Sequence, residues 1–147
     1  MRRGRRIAFD FGDSRIGVAV SDPDSILATP VTTLAAKAVD LWDQIFQLFS
    51  EYEPVEIFVG RPLHLAGHQS ESTSRAESFA QEIGERFGID VTLIDERLST
   101  VSAQRKLKDA GLSTRDSKSA IDQASAVGIL ELALEIAKAR TEREANE

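Results

Sequence analysis

The sequence predicts an α/β domain. Three observations carry that prediction. Apolar runs of strand period alternate with apolar runs of helical period. A short turn, Gly12-Asp13-Ser14, joins two strand-like runs near the start. Beyond a third strand-like run, helix signals separate each later strand from the next. The predicted order is a β-hairpin, a third strand, then helix, strand, helix, strand and two helices.

Arg5 to Phe11 and Ile16 to Ser21 read as the antiparallel arms of the hairpin. Ala28 to Leu34 reads as a third strand, and Pro30 puts it at a sheet edge because proline lacks a ladder donor. Val39, Trp42, Ile45, Phe46 and Phe49 have helical spacing and predict a core-facing helix from about Ala36 to Tyr52, stopped by Pro54. Val55 to Gly60 is a short apolar run of the kind buried in a parallel sheet. Ala76, Phe79, Ala80, Ile83 and Phe87 predict a second amphipathic helix, with Ser74 and Glu77 as a capping box at its start and Gly88 as its stop. Asp90 to Asp95 reads as the last strand, and Thr100 to Ala110 as a short helix ending at Gly111. Asp116 or Ser117 then caps a long helix reaching about Arg140. That helix is apolar around much of its girth, which predicts packing on more than one side. The one sizeable loop runs from Arg61 to Thr73.

The chain has 147 residues, 41% of them hydrophobic, which fits one domain spanning 1–147 with a disordered tail from about 141 to 147. No apolar stretch is long enough to cross a membrane. Arg2, Arg3, Arg5 and Arg6 resemble a signal-peptide start, but Asp10 and Asp13 break the apolar region that should follow. The absence of cysteine excludes disulfides and thiolate metal sites and agrees with a cytoplasmic protein. The net charge of −6 argues against a general nucleic-acid coat. It does not exclude a nuclease, whose catalytic carboxylates enter the same sum.

Three acidic positions carry the chemistry. Asp10 interrupts the apolar first strand. Asp95 and Glu96 end the last strand, and strand alternation lets only one of them point inward. Asp122 lies among Ala120, Ile121, Ala124 and Ala126 in the last helix. Two carboxylates about 4 Å apart repel by roughly 4 kcal/mol at an effective dielectric near 20, so converging acids require a cation. Oxygen ligands without sulfur suit Mg²⁺ or Mn²⁺. Two such ions activate water and stabilise the leaving oxygen of a phosphodiester. The plainer alternatives are an Arg97 partner for Asp95 or Glu96 and an exposed Asp122 beside Lys118.

The motifs themselves resemble a known family. Asp-Phe-Gly-Asp-Ser-Arg-Ile-Gly-Val-Ala-Val-Ser-Asp at 10–22 is similar to the opening motif of the YqgF family, bacterial proteins described as pre-16S rRNA nucleases and as Holliday-junction-resolvase-like. Val-Gly-Arg-Pro-Leu at 59–63 with Gly67, Asp-Glu-Arg-Leu-Ser-Thr at 95–100, and Lys118 with Ile-Asp-Gln-Ala-Ser-Ala at 121–126 resemble its next three motifs, in order. The resemblance implies an RNase H-like fold: a mixed five-stranded sheet, its first three strands antiparallel, with helices on both faces. It places the family's metal-holding catalytic acids on Asp10, Glu96 and Asp122 and so selects Glu96 over Asp95. The chain departs from the family at His64, at Ser113–Lys118 and at Ala124-Ser125, positions that bear on substrate contacts.

Arg15, Arg97 and Lys118 are candidate phosphate contacts; Arg15 could equally meet one of the acids, and Arg97 could simply pair with Asp95. His64 and His68 have a metal-ligand spacing only in a helix, and Pro62 and Gly67 argue for loop. Trp42 and the helically spaced phenylalanines read as core. The leading expectation is a Mg²⁺- or Mn²⁺-dependent nuclease, monomer or homodimer, that matures the 5′ end of 16S rRNA precursor. The runner-up is a Holliday-junction resolvase acting on branched DNA, and a third reading is a non-catalytic interaction module. Asp-x-Gly between strands also resembles the phosphate loop of actin-like ATPases, but those need two lobes.

Overall fold

Strand alternation from Ile7 onward sorts the chain onto two faces of one sheet. The computed structural model describes residues 1–62, 71–98 and 115–146. Its elements are β1 (Arg6–Phe11), β2 (Arg15–Ser21), β3 (Ala28–Ala35), α1 (Leu41–Tyr52), β4 (Glu56–Arg61), α2 (Glu71–Phe87), β5 (Val91–Asp95), a 3-10 turn (Glu96–Leu98) and α3 (Arg115–Ala145). The five strands lie in the order β3-β2-β1-β4-β5. β1, β2 and β3 pair antiparallel, whereas β4 runs parallel to β1, and β5 parallel to β4. This is the mixed sheet implied by the resemblance.

One face packs Ile7, Phe9, Val18, Ile57 and Val59 against Ile45 of α1 and Phe79 of α2. The other packs Ala8, Ala19, Phe58 and Ile94 against Ala126, Ile129 and Leu130 of α3. Helices therefore cover both faces. Phe9 and Phe79 meet edge to face at 5.4 Å, the favoured arrangement for two rings. No helix among the described residues is long and apolar enough to cross a membrane.

Pro30 lies on edge strand β3, as its missing donor demands, and the β2–β3 register shifts between Val18 and Ala19. α2 ends at Phe87 as expected, because Gly88 takes a left-handed conformation and its N–H bonds Gly84 C=O at 3.0 Å.

Four expectations need correction. α1 begins at Leu41 instead of Ala36, since two four-residue turns, closed by Ala38 N–H to Ala35 C=O and Leu41 N–H to Ala38 C=O, precede it. Val39 is consequently exposed and not on a core face, and Phe46, though helical, is 61% exposed. α2 (Glu71–Phe87) is already helical three residues before the proposed Ser74 cap. An acid from elsewhere serves that end: Asp13 of the β1–β2 turn accepts from Ser72 Oγ at 3.3 Å and from Arg75. α3 already includes Asp116 and Ser117, the expected caps, and continues through Ala145 instead of ending near Arg140; its last turns are exposed, with Thr141 Oγ bonded to Ala137 C=O inside the helix. The expected helix at 100–110, His64 and His68 lie outside the described residues.

Candidate functional site

The site begins with parity along β1. Ala8 faces α3, so Asp10, two residues on, faces it too. Asp10 is only 1% exposed. Across the antiparallel ladder its partner is Gly17 of β2. On its other side the parallel register sets Phe9 beside Val59, which brings Asp10 next to Gly60 of β4. The carboxylate thus stands between two glycines.

Each glycine makes room for a second acid. A Cβ at Gly17 would lie 2.0 Å from Asp122 C=O and 3.2 Å from Asp122 Cβ, so α3 rests directly on the β2 backbone there. A Cβ at Gly60 would lie 2.8 Å from Glu96 Oε1 and 2.4 Å from Ile129 Cδ1. Glu96 therefore reaches the α3 side of the sheet. Alternation explains why: Ile94 packs on α3, and Glu96 follows it by two. Glu96 and Asp122 are 3% and 7% exposed. Three buried acids from β1, the end of β5 and α3 share one face, near the carboxyl ends of the parallel strands. Such ends are where sites gather in open α/β sheets.

Asp95 has a different fate. Its carboxylate takes the Arg97 guanidinium at 2.7 Å and the Arg97 N–H at 2.9 Å. Those bonds hold its pKa below the ordinary carboxylate value and raise that of Arg97. Of the two neighbouring acids, the more accessible one forms the salt bridge and the buried one joins the site face.

Arg15 meets an acid. Its Nε–H donates to Asp122 Oδ2 at 2.6 Å, with the arginine side chain 38% and the aspartate 10% exposed. The turn below it is well fixed: Gly12 N–H bonds Arg15 C=O at 2.9 Å, and Ala36 N–H bonds Ser14 C=O at 2.9 Å. Asp13 ties the same turn to α2 through Arg75. Lys118 lies one turn before Asp122 on α3 and is half-buried.

The amino-terminal arginines serve the structure at the far end of β1. Arg6 is 3% exposed and bonds Glu56 at 2.8 Å and Ser25 Oγ at 2.9 Å. Arg2 donates to Val55 C=O, Arg3 pairs with Asp24, and Arg5 donates to Ser21 C=O. They form no basic surface beside the three acids.

The acids suit a hard divalent cation in kind. All are oxygen donors, all are buried, and Glu96 Oε1 fills a cradle that a Cβ at Gly60 would close. As they stand, no group of three His, Cys, Asp or Glu among the described residues is placed so that it could hold a metal ion. The guanidinium of Arg15 already engages one of them.

Sequence reasoning overlooked Gly17 and Gly60 as parts of the site. The signal was present, since an isolated glycine inside a strand marks close approach by another group.

Residues 4–136 match the family described as RuvX: Holliday junction resolvase. A relative from Streptomyces coelicolor, provisionally named pre-16S rRNA nuclease, is 46% identical over 137 residues, covering 92% of this chain and 82% of its own. One of the same provisional name from Mycolicibacterium smegmatis is 48% identical over 134 residues, covering 88% and 79%. Among solved structures, RuvC of T. thermophilus in complex with a Holliday junction superposes with a TM-score of 0.56 at 11% identity, covering 92% of this chain and 96% of that one. That likeness shows an RNase H-like fold.

Proposed function

This chain belongs to the RuvX family, and from that premise we propose that it is a metal-dependent nuclease that trims the 5′ end of a 16S rRNA precursor in the cytoplasm. The observation that carries the reading is the burial of Asp10, Glu96 and Asp122 on one face of the sheet. Burying like charges together is costly unless a cation compensates them, and a fold that spends two strand glycines on the arrangement has a use for it. The relatives' shared provisional name supplies the choice of RNA.

In this reading Asp10, Glu96 and Asp122 hold Mg²⁺ or Mn²⁺. The bound ions supply an activated water and charge stabilisation at the scissile phosphate. Asp10 sits on the central strand, where β2 and β4 fix it from both sides. Gly17 and Gly60 set how closely the other two acids approach. The sheet and α3 keep the carboxylates out of bulk water, which strengthens their hold on a cation. Arg97 follows Glu96 directly, Lys118 lies one helical turn before Asp122, and Arg15 contacts Asp122, so these three are the candidates to meet substrate phosphates.

The test is Asp10→Asn on a 5′-extended precursor rRNA with Mg²⁺ or Mn²⁺. Cleavage falls by orders of magnitude while the variant still folds. Undiminished cleavage by a folded Asp10→Asn protein would sink the reading. The family's description favours one second reading, branched DNA as substrate. Side-by-side turnover on precursor rRNA and on four-way junctions decides between them.

A further inference from the structure

We propose that Arg15 is a stand-in counter-ion for Asp122. It holds the carboxylate when no divalent cation does, and it releases the carboxylate when one binds, which turns its guanidinium toward substrate phosphate. The proposal rests on the reading of Asp122 as a metal ligand.

Three observations carry it. The Arg15–Asp122 contact, at 2.6 Å, engages an oxygen the metal reading requires. The two partners also differ in freedom. The Asp122 backbone is held close, because its carbonyl rests on Gly17 with no room for a Cβ between them. Arg15 is anchored only at its base, by the closed turn, and its long side chain is 38% exposed. Of the two side chains, the arginine is the longer and the more exposed, and so the readier to move away. Lastly, a buried carboxylate left without a cation is unfavourable, and arginine keeps its charge at every working pH. A neighbouring guanidinium thus compensates Asp122 until a divalent ion, with twice the charge, takes its place. Once displaced, the same planar donor matches a phosphate well.

The experiment uses the full chain and Mn²⁺ alone, without nucleic acid. Calorimetry compares wild type with Arg15→Gln and Asp10→Asn. Removing a competing, partly exposed ion pair tightens Mn²⁺ binding by about two- to fivefold in Arg15→Gln, the equilibrium equivalent of such a pair. In parallel, the Arg15 Nε–H resonance, assigned by its loss in Arg15→Gln, shifts when wild type is titrated with Mg²⁺. Mn²⁺ binding no tighter in Arg15→Gln than in wild type overturns the proposal, and so does an Nε–H resonance unmoved at saturating Mg²⁺. The Asp10→Asn arm separates the two readings. If Asp10→Asn loses Mn²⁺ affinity but Arg15→Gln gains none, only the role of Arg15 fails. If Asp10→Asn binds Mn²⁺ as wild type does, the metal site itself fails and the proposal falls with it.

Discussion

Adding one methyl group at Gly17 tests the site more sharply than removing an acid. In Gly17→Ala the new Cβ meets Asp122 C=O at 2.0 Å and its carbonyl carbon at 2.4 Å, whereas ordinary contact starts near 3.4 Å. Both atoms are backbone, so no rotamer relieves the clash, and α3 must retreat from β2 by roughly 1 Å or more. Overpacking of this kind costs about 1–3 kcal/mol. For a chain of this size that lowers the melting temperature by roughly 3–10 °C. Asp122 travels with the helix, and a displacement of about 1 Å at a reacting centre costs on the order of 100-fold in rate. Gly60→Ala is the control. Its Cβ meets Ile129 Cδ1 at 2.4 Å and Glu96 Oε1 at 2.8 Å, and both are the far ends of side chains that can turn aside. Its melting temperature falls less, but turnover still drops because Glu96 is pushed away. Thermal melts by circular dichroism and turnover on precursor rRNA read both quantities. A Gly17→Ala protein that melts and turns over like wild type would refute the packing argument for the site. A Gly60→Ala protein with full turnover would remove Glu96 from it.

Phe9→Ala opens a cavity where β1 meets α1 and α2, at a residue with no exposure and ring contacts to Phe49 and Phe79. Urea titration should show a loss of about 3–5 kcal/mol, a large part of what a domain has to spare. The Asp95–Arg97 pair predicts an acid-side effect. Its carboxyl is held below the ordinary value in the fold, so the stabilisation is complete above the unfolded pKa, near ~3.9, and is lost as pH falls through the lower folded value. Asp95→Asn should flatten the fall in melting temperature below about pH 4, and an unchanged acid limb counts against the pair. Asp22 predicts the same sign for another reason. Its carboxylate accepts the N–H groups of Leu27, Ile26 and Asp24, which lower its pKa, so Asp22→Ala should loosen the β2–β3 connection and speed amide exchange at Ile26 and Leu27.

Much of the fold could be read from the sequence because pattern and partner were local. The hairpin needs only two apolar runs and a turn, and the edge position of β3 needs only Pro30. Features set by distant parts of the chain were harder to read. Whether Asp95 or Glu96 faces inward depends on which face of β5 meets α3, and the edge strand exposes Thr92 and Leu93 together, so its own pattern does not tell. Phe46 follows the helical period of α1 but finds no cover, because the apolar set on that helix is wider than the surface it packs on. The start of α2 is served by Asp13, an acid nearly sixty residues earlier in the chain. The candidate acids were visible one by one as charges in apolar company. Their burial on one face was not, since it depends on Gly17 and Gly60 admitting a helix and a side chain to the sheet.

The bond between Arg15 and Asp122 joins residues 107 positions apart, and that separation has a consequence in time. β1 and β2 leave the site of synthesis early, but the acid they await arrives only with α3. A chain growing from its amino end therefore carries Asp10 long before it has all three acids. Contacts of such long range also close late in folding, because the entropy of the intervening loop must be overcome first. If the acids are the cutting site, the nascent protein is harmless to RNA around it by construction. The same logic offers a means of control in the laboratory. On the same condition, a chain stopped before α3 has Asp10 but lacks Asp122, and cleavage would wait until α3 is supplied as a separate segment.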